Sequence, residues 1–389
     1  MASLYLHIPF CEHKCIYCDF YSIAPNETRP EAGLSTRRFV DSLKREIDLR
    51  SRETRFKVPY ETVFLGGGTP SLIPMGELAE ILELLRSSFT IEQDAEITME
   101  VNPGTVDIVK LRAYKELGVN RISMGVQSFH DDDLRFLTRI HSTEQARQCV
   151  QDAREAGFDN VGLDLMFSLP GQTLGRWRSN LDEAVELNPD HISCYSLIVE
   201  PHTPLATMVE AKQISLLNVD EDAALYELTI EFLAASGYEQ YEVSNFARPG
   251  FASRHNKNYW NHTPYLGFGP SAHSFWNLPG ESMAAERWWN VSSIVGYHDS
   301  LESDRVPVAG SEQLSRETFR EEEIFLALRS DGVDVAGFRK RYGKDLLADA
   351  SSGFRELLEQ NMAVVKEGRV RLTPKGYLVC DEICASLRV

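Results

Sequence analysis

The sequence is short of the features that would commit it to several large classes. It has only seven cysteines in 389 residues, too few for a secreted fold stapled by disulfides. No apolar run approaches the ~18 residues that a membrane-spanning helix needs. Met1 leads within a few residues into a strand-like segment, with no basic or Arg-rich amphipathic lead, so a soluble, cytoplasmic protein is expected. Basic residues are scarce: 40 Lys and Arg stand against 58 Asp and Glu, a formal net charge of −18. That sign argues against general nucleic-acid binding, which depends on phosphate neutralisation by basic patches. Neither G-x-G-x-x-G nor G-K-S/T occurs, so neither common phosphate cradle is expected. At this length, with 43% hydrophobic residues, the chain can bury one large domain with one or two additions.

One stretch breaks the scarcity of sulfur. The apolar run Tyr5-Leu6-His7-Ile8-Pro9-Phe10 leads straight into Cys11, Cys15 and Cys18, spaced C-x3-C-x2-C. Three thiolates on one loop can hold three corners of a four-iron, four-sulfur (4Fe-4S) cluster, leaving the fourth iron open to a small chelating molecule. Structural zinc is the competing use, but zinc asks for four closed ligands, commonly in two separated pairs. His13 lies inside the same loop, where joining the sulfurs on one tetrahedral ion would be strained. The remaining cysteines, Cys149, Cys194, Cys380 and Cys384, fall on apolar positions and read as small buried hydrophobes. Cys380 and Cys384 lie one helical turn apart, with no nearby His or Cys to complete a metal site.

Short apolar runs alternate with amphipathic helical patterns through the first two hundred residues. Strands are predicted over 4–8, 62–65, 96–101, 121–125, 160–166 and 191–196, with helices over 36–51, 75–89, 106–117, 131–137, 143–156 and 174–187 between them. Six such units give a parallel α/β sheet with helical crossovers, an incomplete TIM-like barrel whose functional groups belong on the loops after the strands. Residues 24–35 read as an exposed connection. A helix over 220–235 and one added strand over 238–247 follow. From about Ser311 a helical series, including one helix over 344–360, surrounds two short strands at 362–365 and 370–372, and a last helix starts after Pro374. This reads as a winged-helix-like α+β unit. With 13 Lys and Arg against 14 Asp and Glu it has no basic face, so it is read as a lid or docking domain, with no nucleic-acid partner.

Polar residues recur where the apolar strands end. Gly66-Gly67-Gly68-Thr69 follows the second strand, and its missing Cβ atoms let backbone approach a bound molecule. Glu100 closes the third strand, Gln127 follows the fourth, and Asp164 lies within the fifth. A carboxylate inside an apolar strand needs a cation or amide donors, and for each of these residues a structural ion pair is an equal reading. Further on, Arg254-His255-Asn256-Lys257-Asn258-Tyr259-Trp260 mixes His and aromatic residues, followed by the glycine-rich 267–274. Such a mixture suits a flat aromatic ligand with a metal centre. By residue chemistry alone, a capping segment with His255 hydrogen-bonded in the core is the stronger alternative.

Together, the cysteine loop with Tyr17 before its last cysteine and the glycine stretch after strand two resemble the radical S-adenosylmethionine (SAM) superfamily. The string Tyr5-x-His7-Ile8-Pro9-Phe10-Cys11 resembles the start of its anaerobic coproporphyrinogen oxidase group. The resemblance implies a partial (βα)6 TIM-like radical SAM barrel over residues 1–236, an extension over 237–310 and the C-terminal unit over 311–389. It implies a 4Fe-4S cluster on Cys11, Cys15 and Cys18. It also implies SAM held by Tyr5, Tyr17, Gly67, Gly68, Thr69, Glu100, Gln127, Arg139 and Asp164, while His7 reads as packing.

Two departures separate the chain from the oxidases: Phe20 stands where they carry a fourth cysteine, and no arm precedes the first strand. The motif His255-Asn256-x-x-Tyr259-Trp260 is similar to the H-N-x-x-Y-W associated with heme in the heme-chaperone (HemW) branch. That likeness makes His255 the expected heme ligand, with His262 and His273 as weaker alternatives. The implied function is to bind heme beside the cluster and SAM, and to pass it to heme-accepting respiratory-chain proteins. Membrane contact would be transient at most, and an electron donor such as flavodoxin fits the same implication. The alternative is a radical SAM enzyme (an oxygen-independent coproporphyrinogen III dehydrogenase) in which a 5′-deoxyadenosyl radical takes hydrogen from a porphyrinogen.

Overall fold

The computed structural model describes residues 1–25, 35–278, 283–349 and 353–387. Of the connection expected over 24–35, positions 26–34 therefore lie outside the described residues. Six strands, β1 (Ala2–Ile8), β2 (Pro59–Gly67), β3 (Thr90–Val101), β4 (Arg121–Gln127), β5 (Val161–Phe167) and β6 (His191–Ser196), pair in parallel in chain order. Leu4, Leu6 and Ile8 on one face of β1 and Ser3 and His7 on the other are buried, as are Leu163 and Met166 on opposite faces of β5, as strands covered on both faces require. β2 and β3 begin earlier than the apolar pattern indicates. The first residues of β3 are largely polar and exposed, yet Pro59 pairs with Thr90 and Tyr60 with Ile91, because backbone pairing continues past the end of the hydrophobic run.

The crossover helices start where side chains can cap them. Ser142 and Gln145 close a capping box on Thr143–Glu155, and the Thr173 hydroxyl accepts the Arg176 N–H at the start of Leu174–Glu186. Trp177, fully buried on the latter, donates its indole N–H to Thr229 Oγ1 at 2.8 Å and ties that helix to Val219–Ala235. Among the described residues no helix is long and apolar enough to cross a membrane.

The sheet is wider than the six expected strands. Instead of one strand over 238–247 there are two, β7 (Glu239–Gln240) and β8 (Asn245–Ala247), a hairpin lying antiparallel on β6. The break falls at buried Glu242, whose carboxylate accepts the Ser244 N–H at 3.0 Å and turns the chain. At the other edge β9 (Tyr265–Phe268) runs parallel to β1. Antiparallel β10 (His273–Asn277), β11 (Met283–Asn290) and β12 (Val308–Ser315) then complete twelve strands. β12 crosses the expected 310/311 boundary and belongs to this sheet.

The C-terminal unit follows with the helix Arg316–Leu328 and a separate core around Leu328, Phe338, Phe354 and Val370. Its small sheet orders β13 (Val333–Asp334), β15 (Arg369–Leu372) and β14 (Ala363–Lys366). Among the described residues of the helix expected over 344–360, Phe354–Glu359 is helical, while the Asp345 carboxylate accepts the Leu347 and Ala348 N–H groups and closes a turn. The last helix is divided into Pro374–Tyr377 and Cys380–Ser386.

Candidate functional site

At the end of β1 the chain is pinned from two sides. The Pro9 carbonyl accepts the Ile23 N–H at 2.6 Å, and the Cys11 N–H returns to the Ile23 carbonyl at 3.0 Å. Gly68 and Thr69 donate backbone N–H groups to the Ile8 and Phe10 carbonyls, both at 2.7 Å. The cysteine loop thus hangs between residues 21–23 and the glycine turn. Cys11, Cys15 and Cys18 line one cavity of about 380 Å³ at the C-terminal ends of the barrel strands, the end where such sheets carry their chemistry. Among the described residues no three His, Cys, Asp or Glu side chains are set for a single metal ion; the thiols are arranged around a space instead. The Thr69 hydroxyl lies 3.6 Å from Cys11 Sγ and Arg139 Nη1 lies 3.6 Å from Cys15 Sγ. Burial raises the pKa of Cys11 and pushes Cys18 up to about 11, so both favour the neutral thiol until a metal binds them as thiolates.

The facing wall is built from backbone and buried carboxylates. Gly67 has φ +108°, and a Cβ there would lie 2.7 Å from the His7 ring; at Gly68 it would lie 2.7 Å from the Phe10 carbonyl oxygen. Only glycine allows this close approach. Glu100 accepts the Gly67 N–H at 3.1 Å, and burial, reinforced by neighbouring Asp164, raises its pKa to about 8. Burial also raises Asp164, against the hydroxyls of Ser193 at 2.7 Å and Ser123 at 3.3 Å. Gln127 takes a left-handed φ of 69° at the register slip between β4 and β5, a bulge that turns its side chain into the cavity. Arg139 donates Nη2–H to the Gly125 carbonyl at 2.8 Å, but its buried Nε has no partner.

Two buried carboxylates, both raised by burial and Glu100 also by Asp164, and a guanidinium with a donor to spare, are groups the protein leaves unfinished. SAM completes such a set, because its ammonium and sulfonium are cations for the carboxylates, its carboxylate suits the guanidinium, and its ribose hydroxyls need acceptors. The residues present therefore fit both the cluster and SAM.

Of the twelve residues expected for cluster and SAM, eleven line this cavity. Tyr5 does not. Its hydroxyl meets His7 Nδ1 at 3.1 Å, and its ring contacts those of Phe64 and His255, which sets it beneath the cavity. His7 is packed as expected, with Nε2 on the Tyr21 carbonyl at 2.7 Å. Sequence reading missed Ser123, Asn102, Met166 and Tyr195, which share the walls, and Ser193, which holds Asp164. Ser193 pairs directly with Asp164 across β5 and β6; that register is the missing signal.

His255 lies elsewhere. The helix Arg254–Trp260 is seated by Glu96 of β3, whose carboxylate accepts the Arg254 and His255 N–H groups at 3.0 and 3.1 Å. The His255 ring stacks on Phe64 with centroids 4.9 Å apart; Nδ1 pairs with the Thr62 hydroxyl at 2.7 Å and Nε2 with the Tyr259 hydroxyl at 3.0 Å. Thr62 precedes Gly67 by five residues of β2, roughly 16 Å along the strand. Burial, with Arg121 nearby, pushes His255 down to about 3, so the ring is neutral. Both ring nitrogens are engaged, and the ring does not face the cluster cavity.

Residues 5–184 match the family model described as the radical SAM superfamily, and residues 314–379 that of the HemN C-terminal domain. The heme chaperone HemW of Bacillus subtilis (strain 168) is 35% identical over 387 residues, 98% of each chain. The heme chaperone HemW of Escherichia coli (strain K12) is 39% identical over 284 residues, 71% of each chain. The solved structure of the E. coli coproporphyrinogen III oxidase HemN, a radical SAM enzyme, superposes with a TM-score of 0.81 at 27% identity, covering 99% of this chain and 89% of that one.

Proposed function

The chain belongs to the HemW family of radical SAM proteins, and we propose that it acts as a heme chaperone, holding a 4Fe-4S cluster and SAM in the barrel cavity and passing heme to acceptor proteins. The observation that carries this reading is the convergence of three thiols, two raised carboxylates and an unsatisfied arginine donor on one cavity. Cys11, Cys15 and Cys18 would hold the cluster. Gly67, Gly68, Thr69, Glu100, Gln127, Arg139 and Asp164 would hold SAM, with Tyr17 packed beside the last cysteine. When bound, the cluster supplies a single electron to the sulfonium of SAM. The protein's own part is to orient SAM by the glycine backbone and to neutralise its cations with Glu100 and Asp164.

Relatives named as heme chaperones along 98% of the chain support heme as the cargo. The sequence points to His255 as its ligand, but Thr62 and Tyr259 engage both nitrogens of that ring, so His255 is not the ligand we propose. Respiratory-chain proteins are the acceptors we propose, with a small electron-transfer protein such as flavodoxin as reductant and membrane contact limited to the moment of transfer.

The test is anaerobic reconstitution followed by addition of reductant, SAM and coproporphyrinogen III, with heme titration in parallel. Stoichiometric heme uptake, with only traces of 5′-deoxyadenosine and protoporphyrinogen, is the expected result. Turnover of the porphyrinogen without heme binding would instead make the chain an oxidase.

A further inference from the structure

A second and larger cavity, of about 800 Å³, lies between the extension and the C-terminal unit. Tyr259, His262, Tyr265, Phe275 and Arg287 face it from the extension and Cys384 from the last helix. Its size falls within the ~300–1,000 Å³ of small-molecule sites. The cluster cavity, at about 380 Å³, has less than half that room. Tyr259 and Tyr265 also wall a third cavity of about 500 Å³ that reaches Phe20 beside the cysteine loop, so the large cavity adjoins the cluster region.

His262 is the side chain in this wall that local packing leaves incomplete. It follows the helix Arg254–Trp260 with φ 51°, a left-handed conformation unusual for a non-glycine residue. Its ring stacks on Phe275 at 5.2 Å with an interplanar angle of 15°, and lies 4.4 Å from the Phe319 ring. The side chain is only 8% exposed. Nε2 faces the Glu322 carboxylate at 3.5 Å, and Glu322 is itself held by Arg287 at 3.1 Å. A carboxylate on Nε2 draws the ring proton there and leaves the lone pair on Nδ1, which is buried without a hydrogen-bond partner. One nitrogen on a carboxylate and the other unspent is how metal-binding imidazoles are held.

We propose that this cavity receives the iron porphyrin and that His262 supplies its axial nitrogen. The inference rests on the heme-chaperone reading and assigns that reading its site. Tyr259, Tyr265 and Phe275 offer ring surfaces to the macrocycle. Cys384, 3.2 Å from the Arg329 guanidinium, brings a sulfur from the C-terminal side. His255 becomes a positioning residue, acting through its hydrogen bond to the Tyr259 hydroxyl.

The test titrates cluster-loaded, full-length protein with ferric heme and, separately, with metal-free protoporphyrin, comparing wild type with His262→Gln, His255→Gln and Cys384→Trp. His262→Gln should weaken heme binding about tenfold or more and abolish the imidazole-ligated spectrum, while the metal-free ring binds as before. Cys384→Trp, which fills the cavity, should weaken both rings, and His255→Gln should keep the imidazole spectrum. Wild-type heme affinity and spectrum in His262→Gln, or loss of the imidazole signature in His255→Gln alone, overturns the assignment. Should His262→Gln fail to fold, unchanged binding of both rings by Cys384→Trp overturns it. A wild-type protein that takes up no heme fails the chaperone reading itself, a result distinct from heme bound elsewhere.

Discussion

The two cavities differ in what builds them. The cluster cavity is walled by strand ends and backbone, with Gly67 and Gly68 on one side, a loop of three cysteines on the other, and carboxylates fixed by strand register between. The larger cavity is walled by side chains from parts of the chain far apart in sequence, 259–287 and 321–387, and most of its groups are ordinary aromatic and aliphatic residues. A site made by backbone turns constrains the residue types at fixed spacings. A site made where two units meet constrains only shape, so many sequences satisfy it.

The difference predicts that the cavities can be damaged independently. The largest effect belongs to Cys15→Ala, which should take the reconstituted protein from about four irons to a trace. Porphyrin binding at the second cavity should survive in this variant, and its loss would show the two to be one site. Cys149→Ala, altering a thiol that is buried away from both, should leave iron content unchanged. Next is Gly68→Ala. Its new methyl would press on the Phe10 carbonyl at 2.7 Å, and displacement of the turn should weaken SAM binding about tenfold by calorimetry, with iron content kept.

The smallest effect comes from Glu100→Gln and is read from pH. Glu100 titrates at about 8 in the folded chain and near ~4.3 when unfolded. Between these values the unfolded chain has released a proton that the folded chain still holds, so stability falls as pH rises across the window and levels above it. Without cluster or SAM, Glu100→Gln should melt higher than wild type once pH reaches about 8 and converge with it at acid pH, while binding SAM less well. A melting profile parallel to wild type would mean that Glu100 is already ionised in the folded protein.

How far each cavity was legible follows from the same contrast. All six barrel strands were readable because buried parallel strands carry largely apolar runs, and Gly67, Gly68, Thr69, Glu100, Gln127 and Asp164 sit within, at or just beyond the ends of such runs. Tyr5 stands apart from the other eleven because its side chain lies in a layer beneath the cavity, which spacing along one strand does not reveal. Ser193 was invisible because its importance comes from standing opposite Asp164. The motif around His255 was conspicuous, but its ring is closed by Thr62 from a strand nearly two hundred residues earlier.

By itself the sequence determined the metal-ligating loop, the glycine turn and the alternation of strand and helix, because each depends on residue type at short separations. The tertiary structure alone decided that the sheet grows to twelve strands, that Asp164 stands close enough to raise Glu100, and that His255 is sealed while His262 borders a cavity. Those outcomes depend on groups brought together across long stretches of chain, where burial and pairing, not local spacing, set the chemistry.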